Sequence, residues 1–283
     1  MKIGLCSAAG GVCTRPGVLG RVAEHAEAAG FESLWVSEHL VLSDPRTPPS
    51  PMDAADPILE PVTALAYAAA RTTTLGLGTG VIVLPLRNPL ILAKELATLD
   101  VLSGGRVLFG VGVGYVEQEF RALGVPFDRR GERTDEYLDA MLAIWTQEHP
   151  AFEGELFAFD GVQAHPQPLR RPHPPIVVGG WSSPALRRAA SRGNGWYGWG
   201  MDHDEAGAAL SRLRAALQQV ERDPSLGELE ITITPGGPVD LAAAQRYSEI
   251  GVHRLNLPAA GGSEEDDLLR FIDDVGTQIV GRV

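Results

Sequence analysis

Cysteine is nearly absent: Cys6 and Cys13 are the two in 283 residues. Two thiols cannot build a disulfide framework or a four-thiolate metal site. Positive charge is also scarce, 24 Lys and Arg against 36 Asp and Glu, for a net charge of −12. That balance argues against nucleic acid or an anionic membrane as the main partner, though not against a small anion held locally. No run of 18 uncharged apolar residues occurs, so no membrane-spanning helix is expected. The start, MKIGLCSAAGG, has one Lys and an apolar run too short for a secretory signal, so a cytoplasmic, reduced protein is expected. The seven histidines show no H-x-x-x-H or H-x-x-E-H spacing, and there is no G-x-S-x-G elbow and no P-loop lysine, so no metal is expected.

What is present is a regular alternation. Hydrophobic residues make up 44% and charged residues 21%, an ordinary ratio for a globular chain of a length one core can still organise. Short apolar runs predict strands over 2–6, 33–37, 75–79, 107–110, 176–178, 195–199, 229–234 and 254–257. Helical periodicity lies between them. Leu19, Val22, Ala23 and Ala26 mark a helix over 16–29, with Pro16 in its first turn and Gly30 after its end. Asn88-Pro89 caps and starts another, with Leu92, Leu96 and Leu99 inward and Gly104 as the stop. Leu268, Ile272, Val275 and Ile279 mark the last. Eight strand–helix units predict an α/β fold, a (β/α)8 TIM-like barrel forming one domain over 1–283, with strands apolar on both faces. An open doubly wound sheet is the competing arrangement. Two stretches interrupt the rhythm. Residues 43–60 form a proline-studded loop after strand 2, either a lid or a packed surface loop. Residues 151–175 form an insertion holding the alternating, hairpin-like run FEGELFAFDG.

Strand ends of such a barrel are where chemistry sits. Strand 2 ends in Glu38-His39, a carboxylate and an imidazole suited to proton transfer. Strand 3 ends in Gly76-Leu77-Gly78-Thr79-Gly80-Val81. Strand 4 empties into Gly110, Gly112 and Gly114, with Val113 between the last two and Tyr115 after them. Glycine permits a ligand to approach the backbone, and a tight turn explains it as well. The run is not a dinucleotide fingerprint, because Tyr115 occupies the third glycine position. Strand 5 leads into Gly179-Gly180-Trp181-Ser182-Ser183-Pro184, with Ser183 as expected cap. The amides of Gly180, Trp181 and Ser182 form either a phosphate cradle or an ordinary capped helix start. Arg170, Arg171, His173, Arg187, Arg188 and Arg192 flank it. They form either a seat for an anionic tail or a solvated helix face.

The segments AEAAGFESLWVSEHL, LGLGTGVIVLPLRNPLILAKELATLDVLSGGRVLFGVGVGYVEQEFRALG and PPIVVGGWSSPALRRAASRGNGW resemble the luciferase-like monooxygenase superfamily, most closely its coenzyme F420-dependent bacterial branch. The resemblance implies a deazaflavin, or FMN, at the ends of strands 2, 3 and 4. It places Glu38 and His39 beside the ring as catalytic residues. It assigns Gly78, Thr79, Gly80 and Val81 to cofactor binding, with Gly80-Val81 as a strand-3 bulge behind the ring, often a cis peptide. Gly112, Val113, Gly114 and Tyr115 would line the ribityl chain and ring edge, and Gly179, Gly180, Trp181 and Ser182 the phosphate. The expected activity is F420-dependent hydride transfer to or from a small organic substrate. The alternatives are a reduced-FMN-dependent monooxygenase and a non-catalytic flavin-binding barrel. A homodimer or larger homo-oligomer is implied. Sugar-phosphate dehydrogenases of this branch carry a glutamate where Tyr115 stands here, so that particular reaction is not expected.

Overall fold

A computed structural model of the chain describes residues 1–6, 8–258 and 264–283. Eight parallel strands close into a barrel: β1 (Lys2–Cys6), β2 (Ser33–Val36), β3 (Gly76–Thr79), β4 (Val107–Gly112), β5 (Ile176–Gly179), β6 (Gly195–Met201), β7 (Glu230–Pro235) and β8 (Arg254–Pro258). Each pairs with the next, and β8 returns to β1 over the full length of both strands. The helices α1 (Val18–Ala28), α2 (Pro61–Ala69), α3 (Pro89–Ser103), α4 (Glu117–Ala122), α5 (Arg130–Thr146), α6 (Ser183–Arg192), α7 (His203–Leu217), α8 (Leu241–Glu249) and α9 (Glu265–Gln278) connect the strands. Among the described residues no helix is long and apolar enough to cross a membrane.

The helix ends follow local chemistry. Asn88 accepts from the Leu90 and Ile91 amides at 3.0 and 3.1 Å, and Gly104 ends α3 in the left-handed region at φ 73°. The expected start of α1 at Pro16 is corrected. Gly17 takes φ 81°, a left-handed conformation that a helix interior excludes, so α1 begins at Val18. In α6 the cap is Ser182 rather than Ser183; its hydroxyl accepts from the Ala185 amide at 3.4 Å. The insertion holds a two-stranded hairpin, Phe152–Glu153 against Ala158–Phe159. Glu136 of α5 fixes its turn by accepting from the amides of Glu155, Leu156 and Phe157 at 2.7–3.2 Å.

Alternation along each strand divides the barrel into two interiors. Outward residues such as Ile3, Leu5, Leu34, Val36, Leu77, Phe109, Val111 and Ile176 are buried against the helices and form the main core. The inward row is different, and the expectation of strands apolar on both faces is corrected here. It carries Ser33, Thr232, Thr234, Asn256 and Arg254, several glycines, and a small apolar cluster of Cys6, Trp35, Leu108, Val177 and Tyr197. Arg254 is 1% exposed and closes the end of the barrel where the strands begin. It donates to Glu32 at 2.8 and 2.9 Å and to Thr232 at 3.0 Å, also pairs with Glu230, and lies 5.4 Å from the Trp35 ring centroid. A buried guanidinium is tolerable only with its donors matched this fully. That end is sealed, which leaves the C-terminal ends of the strands as the accessible mouth.

Candidate active site

β2 delivers Ser37, Glu38 and His39 to the mouth. Glu38 is 4% exposed and turned away from solvent. Its Oε2 accepts from the Val83 amide at 2.6 Å, and its Oε1 accepts from Arg87 Nε at 2.9 Å and from a second Arg87 nitrogen. Arg87 bridges on to Glu60 at 2.9 Å, and Glu60 caps α2 by accepting from Val62 and Thr63. Burial pushes the Glu38 carboxyl above the ordinary carboxylate range, against the pull of Arg87 and the Val83 amide. With both carboxylate oxygens engaged inside the protein, Glu38 ties the end of β2 to the segment after β3. This corrects the expectation of a carboxylate presented to a ring.

His39 stays at the mouth. Its Nδ1 lies 3.0 Å from Glu119 Oε2, while Glu119 Oε1 accepts from the Leu40 amide at 3.0 Å. Glu119 is 2% exposed and comes from α4, 80 residues along the chain. In the sequence it is one acid among several in an acidic helix. The signal was available: Val116, Glu119 and Phe120 share one face by i, i+3, i+4 spacing, and an acid on an apolar stripe needs a partner. Tyr115 stands edge-on to His39, with ring centroids 6.0 Å apart and planes at 86°. Burial, and next the charge of Glu119, push the Tyr115 phenol above its usual value, so it is a hydroxyl donor at neutral pH.

Glycines of β4 and β5 surround one side chain, Val81. The Gly80–Val81 peptide is cis, and the chain then resumes as Ile82–Val83, paired with β4. A Cβ at Gly112 would lie 2.8 Å from Val81 Cγ2, and one at Gly179 would lie 3.0 Å from Val81 Cγ1. At Gly110 a Cβ would overlap the Thr79 carbonyl, and at Gly78 the Trp35 ring. Thr79 donates to the Gly110 carbonyl at 2.7 Å and is fully buried. The glycine run after β4 is therefore corrected in role: Gly110 and Gly112 lie inside the strand and make room for Val81, and Val81 forms the wall at the mouth. Gly114 turns at φ 75° where a side chain would strike Val83 and Phe120. Val113 lies beside it, partly exposed. Arg130, not singled out from sequence, donates to the Gly114 carbonyl at 3.2 Å and sits 4.0 Å over the Phe127 ring.

At the end of β5, Gly180 takes φ 106°. Its amide donates to the Tyr197 carbonyl at 3.2 Å, and its carbonyl accepts from Trp196 Nε1 at 2.7 Å. The Gly180 amide is thus withdrawn from the expected cradle, and the Ser182 hydroxyl is engaged as the cap. The amides of Trp181, Ser182 and Ser183 donate to no described residue. They sit at the N-terminus of the ten-residue α6, where partial positive charge collects. Tyr115, Trp181 and Trp199 are 51%, 54% and 46% exposed and stand at the ends of β4, β5 and β6. A wall of Val81, an aromatic rim and unpaired amides at a helix start fit a planar ring with a phosphorylated tail.

Most of the arginine cluster is engaged away from this site, while Arg187 is exposed on α6. Arg188 is held by Asp135 at 2.6 and 2.9 Å and Arg192 pairs with Asp139, which clamps α6 to α5. Arg170, Arg171 and His173 precede β5 and so lie at the opposite end of the barrel. His173 is buried, stacked on Trp145 with centroids 6.3 Å apart. A groove of about 430 Å3 does open on the mouth side, between residues 41–47 and α4, beside Glu119 and Arg121.

Comparison with known proteins agrees with this architecture. The family model described as luciferase-like monooxygenase matches residues 6–250. The chain belongs to that family, whose members are oxidoreductases and monooxygenases. An uncharacterized protein of Mycobacterium tuberculosis is 35% identical over 267 residues, covering 90% of this chain and 91% of the relative. An FMNH(2)-dependent dimethylsulfone monooxygenase of Pseudomonas putida is 43% identical over 113 residues, 39% of this chain and 31% of that one. Among solved structures, an F420-dependent secondary alcohol dehydrogenase in complex with an F420–acetone adduct superposes with a TM-score of 0.79 at 18% identity, over 98% of both chains.

Proposed function

We propose that this protein is a coenzyme F420-dependent oxidoreductase acting on a small organic substrate at the C-terminal mouth of the barrel. The observation that carries the reading is His39, held by Glu119 at the rim beside Tyr115. The end-to-end match with the F420-dependent alcohol dehydrogenase supports it. In this reading Val81 backs the ring, Val113, Gly114 and Tyr115 flank it, and the amides of Trp181, Ser182 and Ser183 receive the phosphate. Arg130 is the cation available near Gly114. When bound, the deazaflavin supplies hydride chemistry; the protein supplies orientation, exclusion of water and a proton route. His39 accepts or returns the substrate proton, and the Tyr115 hydroxyl donates a hydrogen bond to the substrate oxygen. The loop over 43–60, largely exposed and held at its end by the Glu60–Arg87 pair, is the element able to cover the substrate.

A second reading, a reduced-FMN-dependent monooxygenase, is favoured by the local identity with the dimethylsulfone enzyme. One assay separates the two. The purified protein is mixed with oxidised F420 and a panel of secondary alcohols, and in parallel with reduced FMN, oxygen and sulfones. Alcohol-dependent loss of F420 absorbance supports the first reading. Oxygenated product with FMN alone replaces it with the second.

A further inference from the structure

Glu119 has one carboxylate and two neighbours to satisfy. The Leu40 amide always donates, and it takes Oε1 at 3.0 Å. Oε2 is left for His39 Nδ1, also at 3.0 Å. A carboxylate offers acceptors alone, so the Nδ1 position must carry the hydrogen. A neutral imidazole has one N–H, which leaves the Nε2 position as a bare lone pair. Among the described residues nothing bonds to Nε2, and the His39 side chain is 11% exposed at the mouth.

We infer that Glu119 is a positioning residue that fixes His39 in the Nδ1–H tautomer and so presents Nε2 to the substrate as a proton acceptor. The inference rests on the reading of His39 as the proton-transfer group. It extends that reading to a substrate class: one that brings an acidic hydrogen on oxygen to the mouth, such as an alcohol, rather than one needing a neutral donor from His39. A carboxylate bonded to the far ring nitrogen acts this way through orientation, without touching substrate.

Glu119→Gln tests this directly. A carboxamide has one acceptor oxygen for two donors. If that oxygen serves the Leu40 amide, the NH2 group faces Nδ1 and imposes the opposite tautomer. Nitrogen-15 NMR of histidine-labelled, cofactor-free protein reads this, with the His39 signals assigned by their absence in His39→Gln. Spectra are taken at a pH above which they no longer change. The expected wild-type signature is a pyrrole-like Nδ1 and a pyridine-like Nε2, and Glu119→Gln exchanges the two. Glu119→Asp, which keeps two acceptors, restores the wild-type pattern. In turnover, Glu119→Gln lowers kcat by about 10²–10⁴-fold with KM nearly unchanged. A pyrrole-like Nε2 in the wild type overturns the inference even if no variant folds, and so does a tautomer that Glu119→Gln leaves in place. Because the spectra need no cofactor, failure of F420 chemistry leaves this result standing, and the converse also holds.

Discussion

The Glu27 carboxylate, on α1, accepts from the backbone amides of Thr73, Thr74 and Leu75 at 2.6–2.8 Å and so anchors the chain entering β3. Burial opposes ionisation, but the Thr74, Leu75 and Thr73 donors outweigh it and hold the carboxyl down to about 2, from an ordinary value of 4.5. A depressed folded-state value stabilises the fold above the unfolded value and loses that contribution as pH falls through the folded one. Glu27→Gln is therefore expected to be about 1–2 kcal/mol less stable in urea unfolding at neutral pH. The gap should narrow between pH 4.5 and 2, and a gap constant across that window contradicts the assignment. At the mouth, His39→Ala should lower turnover about 10²–10⁴-fold, while wild-type turnover would remove His39 from the chemistry. His39 was legible in the sequence because a strand end exposes it. Glu119 was not singled out, because its partner lies 80 residues away and its helix reads as acidic throughout.

The boundaries of α3 were written locally, in Asn88-Pro89 and Gly104, and the structure keeps them. β4 was legible as a strand but not in its length or in the purpose of its glycines. Gly110 and Gly112 are required by Thr79 and Val81, about thirty residues earlier, and no local rule reports that crowding. The same holds for Arg188 and Arg192, whose spacing matches Asp135 and Asp139 only once α5 and α6 are known to pack together. Gly112→Ala should cost about 1–3 kcal/mol by pressing on Val81. Adding Val81→Ala should recover part of that loss, giving a favourable coupling of about 1 kcal/mol in a double-mutant cycle read by chemical denaturation. Strict additivity would show that the two side chains do not meet.

Across the whole molecule, the repeat of eight strand–helix units was enough to choose a barrel, since periodicity and turn residues recur along the chain. The chemical division of its interior was not, because inward and outward positions differ by one residue and short apolar runs hide the register. That division matters most for function. Arg254 and its partners close one end, and Val81, His39, Tyr115, Trp181 and Trp199 furnish the other. The central claim is that this open end holds a phosphorylated ring cofactor. Its most direct measurement is an equilibrium titration of tryptophan fluorescence with F420 and, separately, with FMN, on the wild type and on Trp181→Phe. The account predicts saturable quenching by F420 with a smaller amplitude in Trp181→Phe. Absence of saturable binding by either cofactor, or quenching that Trp181→Phe leaves untouched, would contradict it.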